Sequence, residues 1–179
     1  MAYETLTFDS CWDDLRSPAT GVNLAGQSAA PTFDETEGAL KFASNADNVV
    51  MLLQHTPHGL DKSKTLRPHF HCYARVDPTE TQIANWRLEY KVYQINDVVP
   101  TSWETVDVVQ TITPANYNHS VAVSFGEISI SHLTSLAGFV KLKISRIVAG
   151  QTYNSPIFVD EFDIHAASKR EGSNSEWSD

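Results

Sequence analysis

His69 and His71 stand at i and i+2 in the run Leu66-Arg67-Pro68-His69-Phe70-His71-Cys72-Tyr73-Ala74-Arg75-Val76. In an extended chain, residues two apart project from the same face. Two imidazoles so placed suit a divalent ion such as zinc or iron, and equally suit structural bonds to backbone carbonyls or carboxylates. His55 and His58 follow the apolar run Val49-Val50-Met51-Leu52-Leu53 just upstream, so four of the seven histidines fall in this part of the chain. His165, or less directly His119, is available as a third ligand.

The pair is similar to the first half of the cupin metal motif, in which two histidines of one strand, a nearby glutamate and a distant histidine hold a divalent ion. Here the next glutamate, Glu80, follows the turn signal Asp77-Pro78, which carries it off the strand, and the cupin glycines are absent. The histidines therefore read first as structural, with no cofactor expected; if an ion is held, His69, His71 and His165 are its ligands. Other chemistries have less to stand on. There is no G-x-S-x-G, no phosphate loop and no dinucleotide fingerprint. Cys11 and Cys72 lack a CxxC spacing and read as free thiols, Cys72 as a small half-buried strand residue. Asp13-Asp14 and Asp160-Glu161 are neighbours that face apart on a strand, which does not make a glycosidase pair. Asp160, Glu161 and Asp163 read as a solvated face rather than a calcium loop. Trp86, Tyr90, Tyr93 and Trp103 offer a stacking platform for a glycan, although Trp86 and Tyr90 share the inward period of Leu88 and Val92, which favours the core. No enzyme is expected.

Composition narrows the class further. The 179 residues suffice for one domain with a core, and 41% hydrophobic content is ordinary for a globular chain. No apolar run is long enough to span a membrane, and the start Met1 to Ser10 lacks a basic segment and an apolar core, so use without secretion is expected. The formal charge of −9 sits at the ends: residues 1–40 carry seven acids against one base, residues 160–179 six against two, and the rest nine against ten. With no basic patch, nucleic acid is not an expected partner.

The elements that must position the histidines follow from the period of the pattern. Residues 1–38 are rich in turn formers and read as an extended N-terminal arm, studded with Phe8, Trp12, Leu15 and Phe33, which packs on its own sandwich or on a neighbour. Trp12 to Leu15 could open a short helical turn. Residues 39–167 alternate with period two, giving strands near 39–43, 48–54, 66–76, 85–95, 104–111, 119–125, 139–148 and 156–166, with a short helical crossover at 128–137. This predicts an all-β, antiparallel sandwich of jelly-roll-like topology. Residues 168–179 are polar and read as a flexible tail, Trp177 apart.

Three landmarks resemble a family of small structural proteins found among the virion genes of tailed bacteriophages and prophages. They are Trp12-Asp13-Asp14-Leu15-Arg16; Gln54-His55-Thr56-Pro57-His58 with Leu66-Arg67-Pro68-His69-Phe70-His71; and Asp163-Ile164-His165 before a Gly- and Ser-containing tail. The family pattern has an aromatic residue after P-H-x-H, where this chain has Cys72 and then Tyr73. The resemblance implies no catalysis. It implies a jelly-roll-like subunit, homotrimeric, assembled in the host cytoplasm into the virion, where it decorates or cements the head against the major capsid protein, or serves as a neck or tail adaptor or fibre-attachment protein. Phe8, Trp12, Leu15 and Phe33 are then the partner-contact arm, and His55, His58, His69, His71 and His165 a cluster near a subunit interface. A cupin-like metal-binding protein and a glycan-binding module are the alternatives.

Overall fold

The structure, a computed structural model, describes residues 11–22, 29–56, 60–133 and 138–168. Its strands are β1 (Cys11–Asp14), β2 (Ser17–Pro18), β3 (Thr32–Asp34), β4 (Ala39–Phe42), β5 (Val49–His55), β6 (Thr65–Ala74), β7 (Gln82–Gln94), β8 (Glu104–Ile112), β9 (Val121–Ser124), β10 (Ile128–Ser129), β11 (Gly138–Ile147) and β12 (Ile157–Ser168). One sheet is four-stranded, in the order β5-β11-β7-β8. The larger runs β10-β6-β12-β4-β3, with β9 also on β6 and β1 and β2 also on β12. The protein is thus an antiparallel, jelly-roll-like β-sandwich, as its alternation predicts.

The alternation builds the core directly. Ala84, Trp86, Leu88 and Val92 of β7 and Val140, Leu142 and Ile144 of β11 point inward from the small sheet. Leu66, Phe70, Cys72 and Ala74 of β6 meet them from the large one. Trp86 is fully buried, edge-on to Phe42 at 5.2 Å and tilted against Phe70 at 4.5 Å. Its indole N–H donates to Gln110 Oε1 at 2.9 Å, and Gln110 Nε2 donates to the Cys72 sulfur at 3.3 Å, so the polar atoms at the centre are satisfied. Cys72 is therefore fully buried rather than half-buried, and burial pushes its thiol up to about 12. Removing a ring such as Phe70 from this interior costs about 3–5 kcal/mol.

Several local expectations are corrected. Trp12 does not open a helical turn: Cys11–Asp14 is extended, with Asp14 opposite His165. Where the crossover is expected to begin, Ile128 and Ser129 add a short strand to β6 and Leu133 ends a turn begun at Ile130; residues 134–137 lie outside the described residues. The described part of the N-terminal arm lies against the sandwich of its own chain. Leu15 exchanges backbone hydrogen bonds with Ile164 at 3.0 and 3.3 Å, Gln54 of β5 bonds Ser17 of β2, and Leu15 packs against the core. Phe33 on β3 and Trp12 on β1 are exposed, while Phe8, His58 and Trp177 lie outside the described residues.

β12 holds the local feature that matters most for the site. A bulge between Val159 and Glu161 shifts its register against β6. Before it Ile157 and Val159 face the core; after it Phe162, Ile164 and Ala166 do. The extra residue, Asp160, changes the parity of the strand. Without it, Asp163 and His165 would share the inward face of Ile157 and Val159.

Candidate functional site

Two groups of side chains stand out, on opposite sheets. The first lies on the outer face of the large sheet, where β6 and β12 run side by side. Asp163 pairs with His69 and Glu161 with His71, and the outward period of both strands brings the imidazoles and the carboxylate together. The His69 ring lies 5.1 Å from that of His71 and 4.4 Å from that of His165, centre to centre. His69 Nε2 is 3.8 Å from Asp163 Oδ2, and both side chains are buried. Across β1, His165 Nε2 is 3.2 Å from Asp14 Oδ1. Asp14 also accepts from Arg16 at 3.0 Å, and this guanidinium, with His165 behind it, holds its carboxyl below the usual range. Arg16 approaches Glu161 as well, at 3.8 Å. Pro68, one residue before the pair, sits where β9 has ended and β10 begins: its carbonyl accepts from Phe125 N–H at 3.0 Å, and its nitrogen faces that same gap, where no ladder donor is needed.

His69 thus touches both His71 and His165, but the expected ligand set of His69, His71 and His165 is split between two groups of donors that share Asp163. His119 is exposed in the turn before β9 and stands apart from them. His55 is not part of this group either, because it lies on β5 of the other sheet. Asp14 and Asp163 stand in the sequence landmarks but are not expected there as ligands, and Asp163, read as part of a solvated face, is buried. Asp14 comes from a strand too short to show a period, and Asp163 comes from beyond a bulge.

The second group is on the outer face of the small sheet. His55, Phe139 and Tyr93 occupy one row across β5, β11 and β7. Phe139 meets the His55 ring edge-on at 4.6 Å and stacks on Tyr93 at 5.4 Å. Lys141 lies over Tyr93 at 5.4 Å, and Trp103 carries the ammonium groups of Lys143 and Lys91 over its ring at 4.1 and 4.7 Å. Leu53 is 54% exposed beside them. Arg87 and Asp107 close the far end with a two-pronged pair at 2.7 and 2.8 Å. A cleft of about 260 Å³ opens at the margin between the two sheets, lined by Tyr90, Lys91, Val92, Glu104, Ser129 and His132; only Lys91 also reaches the outer face.

The platform expected from Trp86, Tyr90, Tyr93 and Trp103 is therefore divided. Trp86 and Tyr90 pack in or against the core, as their period indicates, while Tyr93 and Trp103 face outward. Their real companions, Phe139 and His55, come from strands distant in sequence.

Likeness to known proteins is limited. No protein-family model matches the chain, and no curated protein does. Among solved structures, the second family 22 xylan-binding domain of Xyn10C from Paenibacillus barcinonensis is similar at 17% identity and a TM-score of 0.41, covering 72% of this chain and 78% of that one. A carbohydrate-binding module, TmCBM61, solved with β-1,4-galactotriose, gives 12% identity and 0.37, covering 86% of each chain. The insecticidal delta-endotoxin Cry8Ea1 of Bacillus thuringiensis gives 11% and 0.42, over 84% of this chain and 23% of that one. Likenesses this distant identify no ligand.

Proposed function

We propose that the protein is a non-catalytic glycan-binding β-sandwich that takes up its ligand on the outer face of the four-stranded sheet. The observation that carries this reading is the aromatic row His55–Phe139–Tyr93, continued toward Trp103 by the lysines beside it. Half-exposed rings on a rigid sheet offer flat apolar surface to the C–H faces of sugar rings at little conformational cost. Lys91, Glu104 and Ser102 at the cleft supply polar groups suited to hydroxyls. A broad glycan array followed by calorimetry on the best ligand tests it. Tyr93→Ala and Phe139→Ala should each weaken binding about tenfold or more, and an array without hits for the folded protein overturns the proposal.

A second reading, the virion structural protein of the sequence resemblance, has its own support. The three landmarks, far apart in the chain, supply Asp14, His69, His71, Asp163 and His165, which meet in one place. On this reading the subunit is a homotrimer and its partner is the capsid. Light scattering after gel filtration tests it: a monomer that does not bind capsids contradicts it.

A further inference from the structure

We propose that His69, His71 and Asp163 form a binding site for a divalent first-row cation of the zinc type, with Asp14 and His165 as further donors at its edge. Each of His69, His71 and Asp163 offers a ligand atom within 4.8 Å of the other two, and so do Asp14, Asp163 and His165. Asp163 is common to both sets and is 5% exposed, yet its Oδ1 has no hydrogen-bond partner among the described residues. A buried carboxylate oxygen normally has a partner. A cation supplies one.

The donor chemistry agrees. Imidazole nitrogen and carboxylate oxygen are ligands for zinc and its neighbours, whereas calcium and magnesium prefer oxygen alone. A tetrahedral ion with bonds of about 2.0–2.1 Å needs donors roughly 3.3 Å apart. His69 Nε2 and Asp163 Oδ2 are already at 3.8 Å, so small side-chain rotations close the set. Among the described residues no arginine is within ion-pair distance of Asp163, although Arg16 feels its charge. Arg16 is engaged by Asp14 and Glu161, and Arg67 by Glu127 at 2.7 Å and by the Trp12 ring. Cys72, although adjacent to His71, faces the core and is not a ligand. The bulge in β12 is what aims Asp163 at the histidines, and bulges commonly re-aim a side chain beside a site. Because its donors come from β6 and β12, with β1 at the edge, a bound ion would tie the N-terminal strand to the centre of the large sheet.

The test uses full-length protein purified without a polyhistidine tag, stripped with EDTA and titrated with zinc chloride at neutral pH by calorimetry, with cobalt(II) absorption as a second readout. The expected result is one zinc per chain, a raised Tm, and cobalt bands of a low-symmetry nitrogen and oxygen site. His71→Ala, at a half-buried position, and Asp163→Asn should each lower zinc affinity at least about tenfold. His119→Ala should not change it. Wild-type protein that takes up no stoichiometric zinc overturns the proposal without reference to any variant, and so does undiminished binding by both folded variants. The site and the aromatic row are on different sheets, so this result is independent of the glycan reading.

Discussion

Arg146 is fully buried with no carboxylate paired to it among the described residues, and its surroundings explain how. Its guanidinium donates to Phe42 O at 3.1 Å, Ser155 O at 2.8 Å, Tyr153 O at 2.7 Å and Gln151 Oε1 at 3.0 Å. Burial pulls its pKa down to about 10, still well above neutrality, so the charge is kept and spread over carbonyl dipoles. The residue joins the end of β4 to the loop before β12. Arg146→Leu should lower stability by about 3 kcal/mol or more, since several buried carbonyls lose their donor at once, and urea unfolding measures it. Glu37 provides the pH-dependent case. Hydrogen bonds from Arg75 at 2.6–3.1 Å hold its pKa below the ordinary value, aided by one from Tyr73 at 3.0 Å. A depressed carboxylate contributes stability that is present above its unfolded pKa and lost as pH falls through the folded one. The gap in Tm between wild type and Glu37→Gln should therefore be constant at neutral pH and close as pH falls below about 4.3. A gap unchanged in acid would show that the contact does not depend on ionisation.

At the level of elements, the long strands were legible because each keeps one face buried. In β7, Arg87, Glu89 and Lys91 alternate with Trp86, Leu88 and Val92, and burial follows that pattern. The short strands β1, β2, β3 and β10 were not legible, since two to four residues give too little alternation to read and they form only by adding to existing edges. β12 was legible as a strand but not in phase. Its bulge inverts the pattern at Asp160, which is why the outward set 161, 163 and 165 could not be assigned from alternation. Deleting Asp160 restores a regular ladder and should turn Asp163 and His165 toward the core, displacing Phe162 and Ile164. The expected outcome is loss of the cooperative unfolding transition and of near-ultraviolet circular dichroism. A deletion variant as stable as wild type would mean that the bulge does not set the phase of the strand.

For the whole molecule, sequence reading reaches what one strand contains and stops at what several strands share. The i, i+2 relation of His69 and His71 is written in a single run, whereas the row His55–Phe139–Tyr93 exists only through the pairing of β5, β11 and β7. The two sheets consequently present different surfaces. The small one carries aromatic rings and lysines, and the large one carries a histidine–carboxylate group. The charge of −9 is concentrated toward the chain ends, leaving the body near neutral. Such a body does not repel uncharged sugars, and high salt should change glycan affinity by less than about tenfold, in contrast to a polyanion held by many charges.

Backbone amide chemical shifts during a titration with the best array ligand locate the proposed glycan contact on the open face of the small sheet directly. Saturable shifts are expected on residues 53–55, 91–93, 103 and 139–143, abolished in Tyr93→Ala. Shifts confined to the histidine side of the large sheet, or none at saturating ligand, would contradict it.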